Sequence, residues 1–194
     1  MSEPQPATPS PEPSGPRAPG WAWLVATGFG SGRLKPASGT WGSAAAVLVW
    51  IVLAHLAVLP PRWAGEAYLA LLPIAMTWLA VKASDLVARQ TGHKDPGYIV
   101  ADEFAGMWIA LWPLRWELLA ALHETHDHHR ARALLLYALP FLAFRVFDVW
   151  KPWPAHQVQV LPGGEGIVAD DVVAGLYAIP VVMLLAPWVV KLIG

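Results

Sequence analysis

Val172–Ile193 reads VVAGLYAIPVVMLLAPWVVKLI and carries one charged residue, Lys191, near its end. A hydrocarbon layer of ~30 Å takes about 20 helical residues to cross, and this stretch supplies them. Toward the N-terminus the same apolar character returns at Trp41–Leu59, Gly65–Val81, Phe104–Leu122 and Ala133–Phe147. The first two of these also fit a crossing. Phe104–Leu122 contains Pro113, Arg115 and Glu117, while Ala133–Phe147 is short and carries Pro140 and Arg145. Both are expected to be broken or sheltered inside a bundle, where neighbours can re-satisfy the backbone and the charges. The expected fold is all-α, a multi-span transmembrane helical bundle of about four to five spans.

The rest of the chain agrees with a bilayer as solvent. Its 194 residues are 56% hydrophobic and 14% charged, with a mean hydropathy of +0.43, unlike a soluble domain of that length. Twelve tryptophans suit the headgroup layer. A net charge of -1 leaves no broad basic surface, so nucleic acid is not an expected partner. The absence of cysteine excludes thiolate metal sites, iron–sulfur clusters and cysteine nucleophiles together.

Residues 1–20, MSEPQPATPSPEPSGPRAPG, hold almost nothing to bury and read as a disordered Pro-rich tail before a membrane-embedded domain at 21–194. Acidic Glu3 and the prolines do not make a secretory signal, so insertion is expected to rely on the mature helices. Trp21–Phe29 is too short to cross and is expected to lie in the interface or under the bundle.

Following the connections under a five-span reading brings three segments to one side: the one before the first span, the loop after the second and the loop after the fourth. That side holds Arg17, Arg33, Lys35, Lys82, Arg89, Lys94, Arg145 and Lys151, eight cations against the five of Arg62, Arg115, Arg130, Arg132 and Lys191. The excess predicts that it faces the cytoplasm.

Four segments on that side carry chemistry. Gly28–Ser43, GFGSGRLKPASGTWGS, places Gly30, Ser31 and Gly32, then Ser38, Gly39 and Thr40, at the start of the first span. Glycine-rich backbone at a helix N-terminus can receive a phosphate, although the spacing is neither a P-loop nor a dinucleotide fingerprint and such loops are often only turns. Gly92–Trp108, GHKDPGYIVADEFAGMW, puts His93, Lys94 and Asp95 in a turn and Asp102 and Glu103 at a span mouth. One acid there is explained as a helix cap; two repel, and a divalent cation held through oxygen relieves the repulsion. Phe144–Pro154, FRVFDVWKPWP, spaces Arg145, Asp148 and Lys151 three apart on one helical face. They read equally as an internal ion-pair ladder or as two phosphate-binding cations oriented by Asp148. Gly163–Leu176, GGEGIVADDVVAGL, again sets paired acids, Asp170 and Asp171, before small residues, Ala174 and Gly175, as Asp102 and Glu103 precede Ala105 and Gly106. Small residues let the two helices approach, so four carboxylates can meet at one metal site.

His123, His126, His128 and His129 fall on the opposite side, and their spacing lacks the pattern of a zinc protease helix, so they read as a solvated loop. Asp85 and Arg89, one turn apart, read as a helix-surface pair.

In order, GFGSG with SGTWGS, GHKDPGYIVADEFAGMW, FRVFDVWKPWP and GGEGIVADDVVAG resemble the bacterial phosphatidylglycerophosphatase A family from about Trp23 to Ala178; the 115–132 stretch looks like an insertion. The resemblance implies a magnesium-dependent phosphatase of the cytoplasmic (inner) membrane that converts phosphatidylglycerophosphate to phosphatidylglycerol and phosphate. Under it Asp102, Glu103, Asp170 and Asp171 are expected to hold one or two Mg²⁺. Lys94, Arg145 and Lys151 are expected to balance phosphoryl charge, and His93 to protonate the leaving alkoxide. An aspartyl-phosphate route stays open beside direct attack by water. The alternative reading is a membrane cation transporter, or a non-catalytic membrane protein with a divalent-metal site. Acids clustered at span mouths with cations beside them suit phosphate better than a passing ion.

Overall fold

In the computed structural model, residues 17–123 and 127–193 are described, and of 122–131 and 192–193 only the backbone is considered. Helix α1 spans Gly20–Ala26, α2 Ser38–His55, α3 Arg62–Thr91, α4 Ala101–Leu111, α5 Arg115–His123, α6 Asp127–Trp150, α7 Ala155–Val158 and α8 Gly163–Ile193. Short 3₁₀ turns follow α2 and α4.

Four segments among the described residues are long and apolar enough to cross a membrane: Ser38–Val58, Arg62–Thr91, Arg132–Trp150 and Gly163–Lys191. The expected third span, Phe104–Leu122, is not one of them. It divides at Trp112–Leu114, a 3₁₀ turn holding Pro113, which can neither donate to the helix ladder nor fit beneath the preceding carbonyl. Its first part, α4, is enclosed by α2, α3, α6 and α8. Nine of its eleven residues are buried. Trp108 fixes it laterally, donating its indole N–H to the carbonyl of Ala46 at 3.0 Å and meeting Trp50 edge-on at 5.8 Å.

Two helices extend further than the apolar pattern suggests. α3 runs on to Thr91 and stops at Gly92, whose φ of 69° is the left-handed conformation of a helix C-cap, with its N–H bonded to the carbonyl of Ala88. α8 starts at Gly163 rather than Val172, because Gly164 and Gly166 continue the helix while packing closely. A Cβ at Gly164 would strike the carbonyl of Val81 on α3. Asp170 and Asp171 therefore lie in the helix body, two turns in, and not at its first turn as expected.

Trp21–Phe29 does not lie free in the interface. Within it, α1 packs its buried Ala22 and Ala26 on α3. Gln90 on α3 accepts from the Ala18 N–H at 2.8 Å and from the Trp23 indole at 3.1 Å. Of the 1–20 tail reading, 1–16 lie outside the described residues, as do His126 and the side chains of His123, His128 and His129. Exposed tryptophans ring both ends of the bundle: Trp21, Trp41, Trp150 and Trp153 at one, Trp63 and Trp188 at the other.

Candidate active site

The end of the bundle bearing α2's start and α3's finish also carries the mouths of α4 and α8 and the exit of α6. Between them lies a cavity of ≈ 190 Å³ lined by Asp95, Asp102, Glu103, Asp148, Asp170 and Asp171, together with Lys151, Ser38, Gly39, Gln159, Gly166 and backbone around Ile99. Two glycines bring the acidic helices together. A Cβ at Gly175 would stand 2.5 Å from the carbonyl of Gly106, and one at Gly106 would stand as close to that of Asp171. The spacing of small residues one turn inside each acid pair thus produces the close α4–α8 contact expected of it.

The carboxylates are not equivalent. Glu103, 8% exposed, accepts from Arg145 at 2.6 Å and from the Ser43 hydroxyl at 2.8 Å on the same oxygen. Arg145 also pairs with Asp148 at 2.8 Å, one turn along α6. Gly39 is required here, since a Cβ would collide with Glu103 Oε1. Asp170 accepts from Lys151 Nζ at 2.6 Å and from the Gln159 amide at 2.5 Å. The anticipated Arg145–Asp148–Lys151 ladder is therefore only half formed: Arg145 keeps Asp148, but Lys151 crosses to α8. It does so from a left-handed backbone, φ 48°, just past the end of α6.

Asp102 accepts the N–H of Glu103 at 3.0 Å through Oδ1, within the first turn of α4, where the helix dipole favours an anion. Asp171 is 3% exposed, and its Oδ2 has no hydrogen-bond partner. An ionised oxygen buried without a donor costs several kcal/mol. Outside the spans, burial pushes the Asp95 carboxyl above its usual range, and the charge of Asp170 adds to this. Burial opposes the charge of Lys151, but the hydrogen bond and charge of Asp170 outweigh it and hold the ammonium above its ordinary pKa.

The donors fit a hard divalent cation: they are all carboxylate oxygens, and one buried oxygen has nothing to bind. Among the described residues no three His, Asp or Glu side chains are drawn around a single point. Asp102 and Asp171, with Asp170 alongside, are the residues that would hold Mg²⁺, while Glu103 is committed to Arg145 through one oxygen.

Other expected residues fall elsewhere. His93 is exposed in the turn after α3 and does not line the cavity. Lys94 is exposed and donates to the carbonyl of Gln159 at 3.0 Å, reaching the site only through that residue. Ser38 and Gly39 bring the start of α2 to the wall, but Gly30, Ser31, Gly32 and Thr40 lie outside the lining. Ser31 turns its hydroxyl back to the carbonyl of Gly28 at 2.7 Å, and Gly32 packs on the backbone of Tyr98, so this glycine run shapes a turn. Ser43 and Gln159 were not anticipated. Ser43 lies one turn beyond Gly39 on α2, a spacing that signals a shared face; nothing local marks Gln159.

Residues 24–186 match the family model described as Phosphatidylglycerophosphatase A. The chain belongs to the phosphatidylglycerophosphatase A family. It is 35% identical over 157 residues to "Phosphatidylglycerophosphatase A" of Escherichia coli (strain K12), covering 79% of this chain and 76% of the relative. To the protein of that name from Haemophilus influenzae it is 32% identical over 169 residues, 85% and 88% of the two chains. "Putative phosphatidylinositol-3-phosphatase" of Bacteroides thetaiotaomicron is 32% identical over 168 residues, 86% and 94%. No solved structure matches. As a member of the phosphatidylglycerophosphatase A family the chain is an enzyme, a phosphatase of lipid metabolism, and its four apolar helices make it a membrane protein.

Proposed function

We propose that the protein is a Mg²⁺-dependent phosphatase that hydrolyses phosphatidylglycerophosphate to phosphatidylglycerol and inorganic phosphate at the cytoplasmic face of a bacterial inner membrane. The observation that carries the metal requirement is the buried, unpartnered oxygen of Asp171, which lines the same cavity as Asp102. The family and the names of the relatives support the lipid monoester as substrate.

Bound there, Mg²⁺ supplies neutralisation of phosphoryl charge and a lowered pKa for water. The protein does the rest. Asp102 and Asp171 set the position of the cation. Lys151, held charged by Asp170, stands beside the phosphoryl oxygens as a donor. Ser38 and Gly39, at the first turn of α2, line the same space, and a helix N-terminus favours an anion. Arg145, paired with both Glu103 and Asp148, fixes these two carboxylates in the cavity wall.

Purified protein in detergent is expected to release phosphate from phosphatidylglycerophosphate with Mg²⁺ and to stop when the ion is chelated. Release that persists in chelator would remove the metal from this account. The orientation is checked separately in a chain free of cysteine: Lys94→Cys is expected to resist an impermeant thiol reagent applied outside the cell, and Leu59→Cys to react. The reverse pattern inverts the protein.

A further inference from the structure

Beside the acidic cavity, and sharing Ser38 and Gly97 with it, lies a second cavity of ≈ 670 Å³ formed by Gly32–Ser38 with Gly97 and Tyr98. Its chemistry is different. The walls are largely apolar, and the charges on them are cations, Arg33 and Lys35. Both are exposed, and neither enters an ion pair or hydrogen bond of its side chain among the described residues. Leu34, an exposed apolar side chain, lines it, and exposed Phe29 and Trp41 belong to the same α1–α2 segment at the end of the bundle where headgroups meet acyl chains.

We infer that this groove is the lipid subsite of the enzyme, in which Arg33 and Lys35 bind the phosphodiester of the substrate while its terminal phosphate enters the acidic cavity. The inference rests on the lipid-monoester reading above and adds the residues that select the head group. Phosphatidylglycerophosphate carries two phosphates a glycerol apart: a monoester that must reach the acids and a diester that stays near the acyl chains. The two adjoining cavities repeat that order. The cavity with the carboxylates suits the phosphate that a cation accompanies, and the groove with unpaired cations suits the phosphate that brings none. Gly32 lets its turn pack closely on the carbonyl of Tyr98, which sets the groove next to the site. The glycine run Gly28–Gly32 thus serves an anion indirectly, by presenting Arg33 and Lys35.

Arg33→Ala, Lys35→Ala and the double variant test this, since exposed side chains without partners can be removed with the fold intact, which melting curves verify. The double variant is expected to raise KM for phosphatidylglycerophosphate on the order of tenfold or more, with kcat within about twofold. Arg33→Lys should recover much of the loss. A second measurement does not depend on turnover: wild-type protein is expected to retain phosphatidylglycerol over phosphatidylethanolamine in native mass spectrometry, and the double variant to lose that preference. An unchanged KM, or a fall in kcat alone, overturns the inference. If the wild type hydrolyses no phosphatidylglycerophosphate, the proposed reaction fails, and lipid retention alone then decides the groove: preference lost in the double variant upholds it, and preference kept overturns it.

Discussion

The two ends of the bundle each gather acids and bases, and they differ in whether the charges are satisfied. At the end away from the cavity, both oxygens of Glu66 on α3 are used. One accepts from Arg115 Nε at 3.1 Å and Nη2 at 2.8 Å, the other from the Trp116 indole at 2.5 Å. Arg62 lies over the Trp116 ring at 5.0 Å and Arg115 over Trp112 at 4.9 Å. This cluster ties the turn after α4 to α3. At the cavity, six carboxylates share two nearby cations, and one buried oxygen of Asp171 has no donor. Glu66 completes its pairs, whereas Asp171 keeps a buried carboxylate oxygen that the proposed cation would satisfy.

The sharpest way to break this contrast is to remove one acid from the incomplete end. Asp171→Asn and Asp102→Asn are each expected to lower turnover on the order of 10²-fold or more, equivalent to ~3 kcal/mol of transition-state stabilisation. Metal-free melting should stay near wild type or rise, because a repelling anion has gone. The double variant should be far from additive, as both acids act on one ion. Near-normal turnover at saturating Mg²⁺ in both single variants would leave the open oxygen without a purpose.

A smaller effect is expected where the α4–α8 contact is set. Gly175→Val places methyl groups against the carbonyl of Gly106 and should destabilise by ~1–3 kcal/mol in a thermal or denaturant melt, with activity falling as the acid pairs separate. Full stability in this variant would show that the glycines do not hold the helices together. The smallest effect belongs to the satisfied end. Glu66→Gln should lower the melting temperature, since Arg115 loses its counterion, while kcat and KM of the folded enzyme remain unchanged. A change in kcat there would couple the two ends and remove the distinction.

Much of the site was legible because it depends on residue type and order. Paired acids followed by small residues, twice, marked α4 and α8 as partners, and the glycines meet as that spacing implies. What was not legible depends on how far a helix extends. Gly163–Gly166 read as a loop because glycine lowers helix propensity, yet close packing on α3 overrides propensity and places Asp170 and Asp171 inside α8. That removes the cap explanation for Asp171 altogether. The break at Trp112–Leu114 was foreshadowed by Pro113, but the enclosure of α4 on every side is a property of four other helices and has no local signature. The partners of Lys151 and His93's position outside the cavity follow from loop paths that residue spacing does not encode.

The enclosure of α4 has a consequence for biogenesis. A helix with almost no lipid-facing surface gives the insertion machinery little to recognise, and its walls include α6 and α8, which are translated after it. During synthesis Asp102 and Glu103 must wait at the membrane surface until α6 delivers Arg145 and α8 delivers Asp170 and Asp171. The acid cluster is therefore complete only when α4, α6 and α8 are packed together, and Asp102 and Glu103 on α4 alone lack the partners that make the cavity.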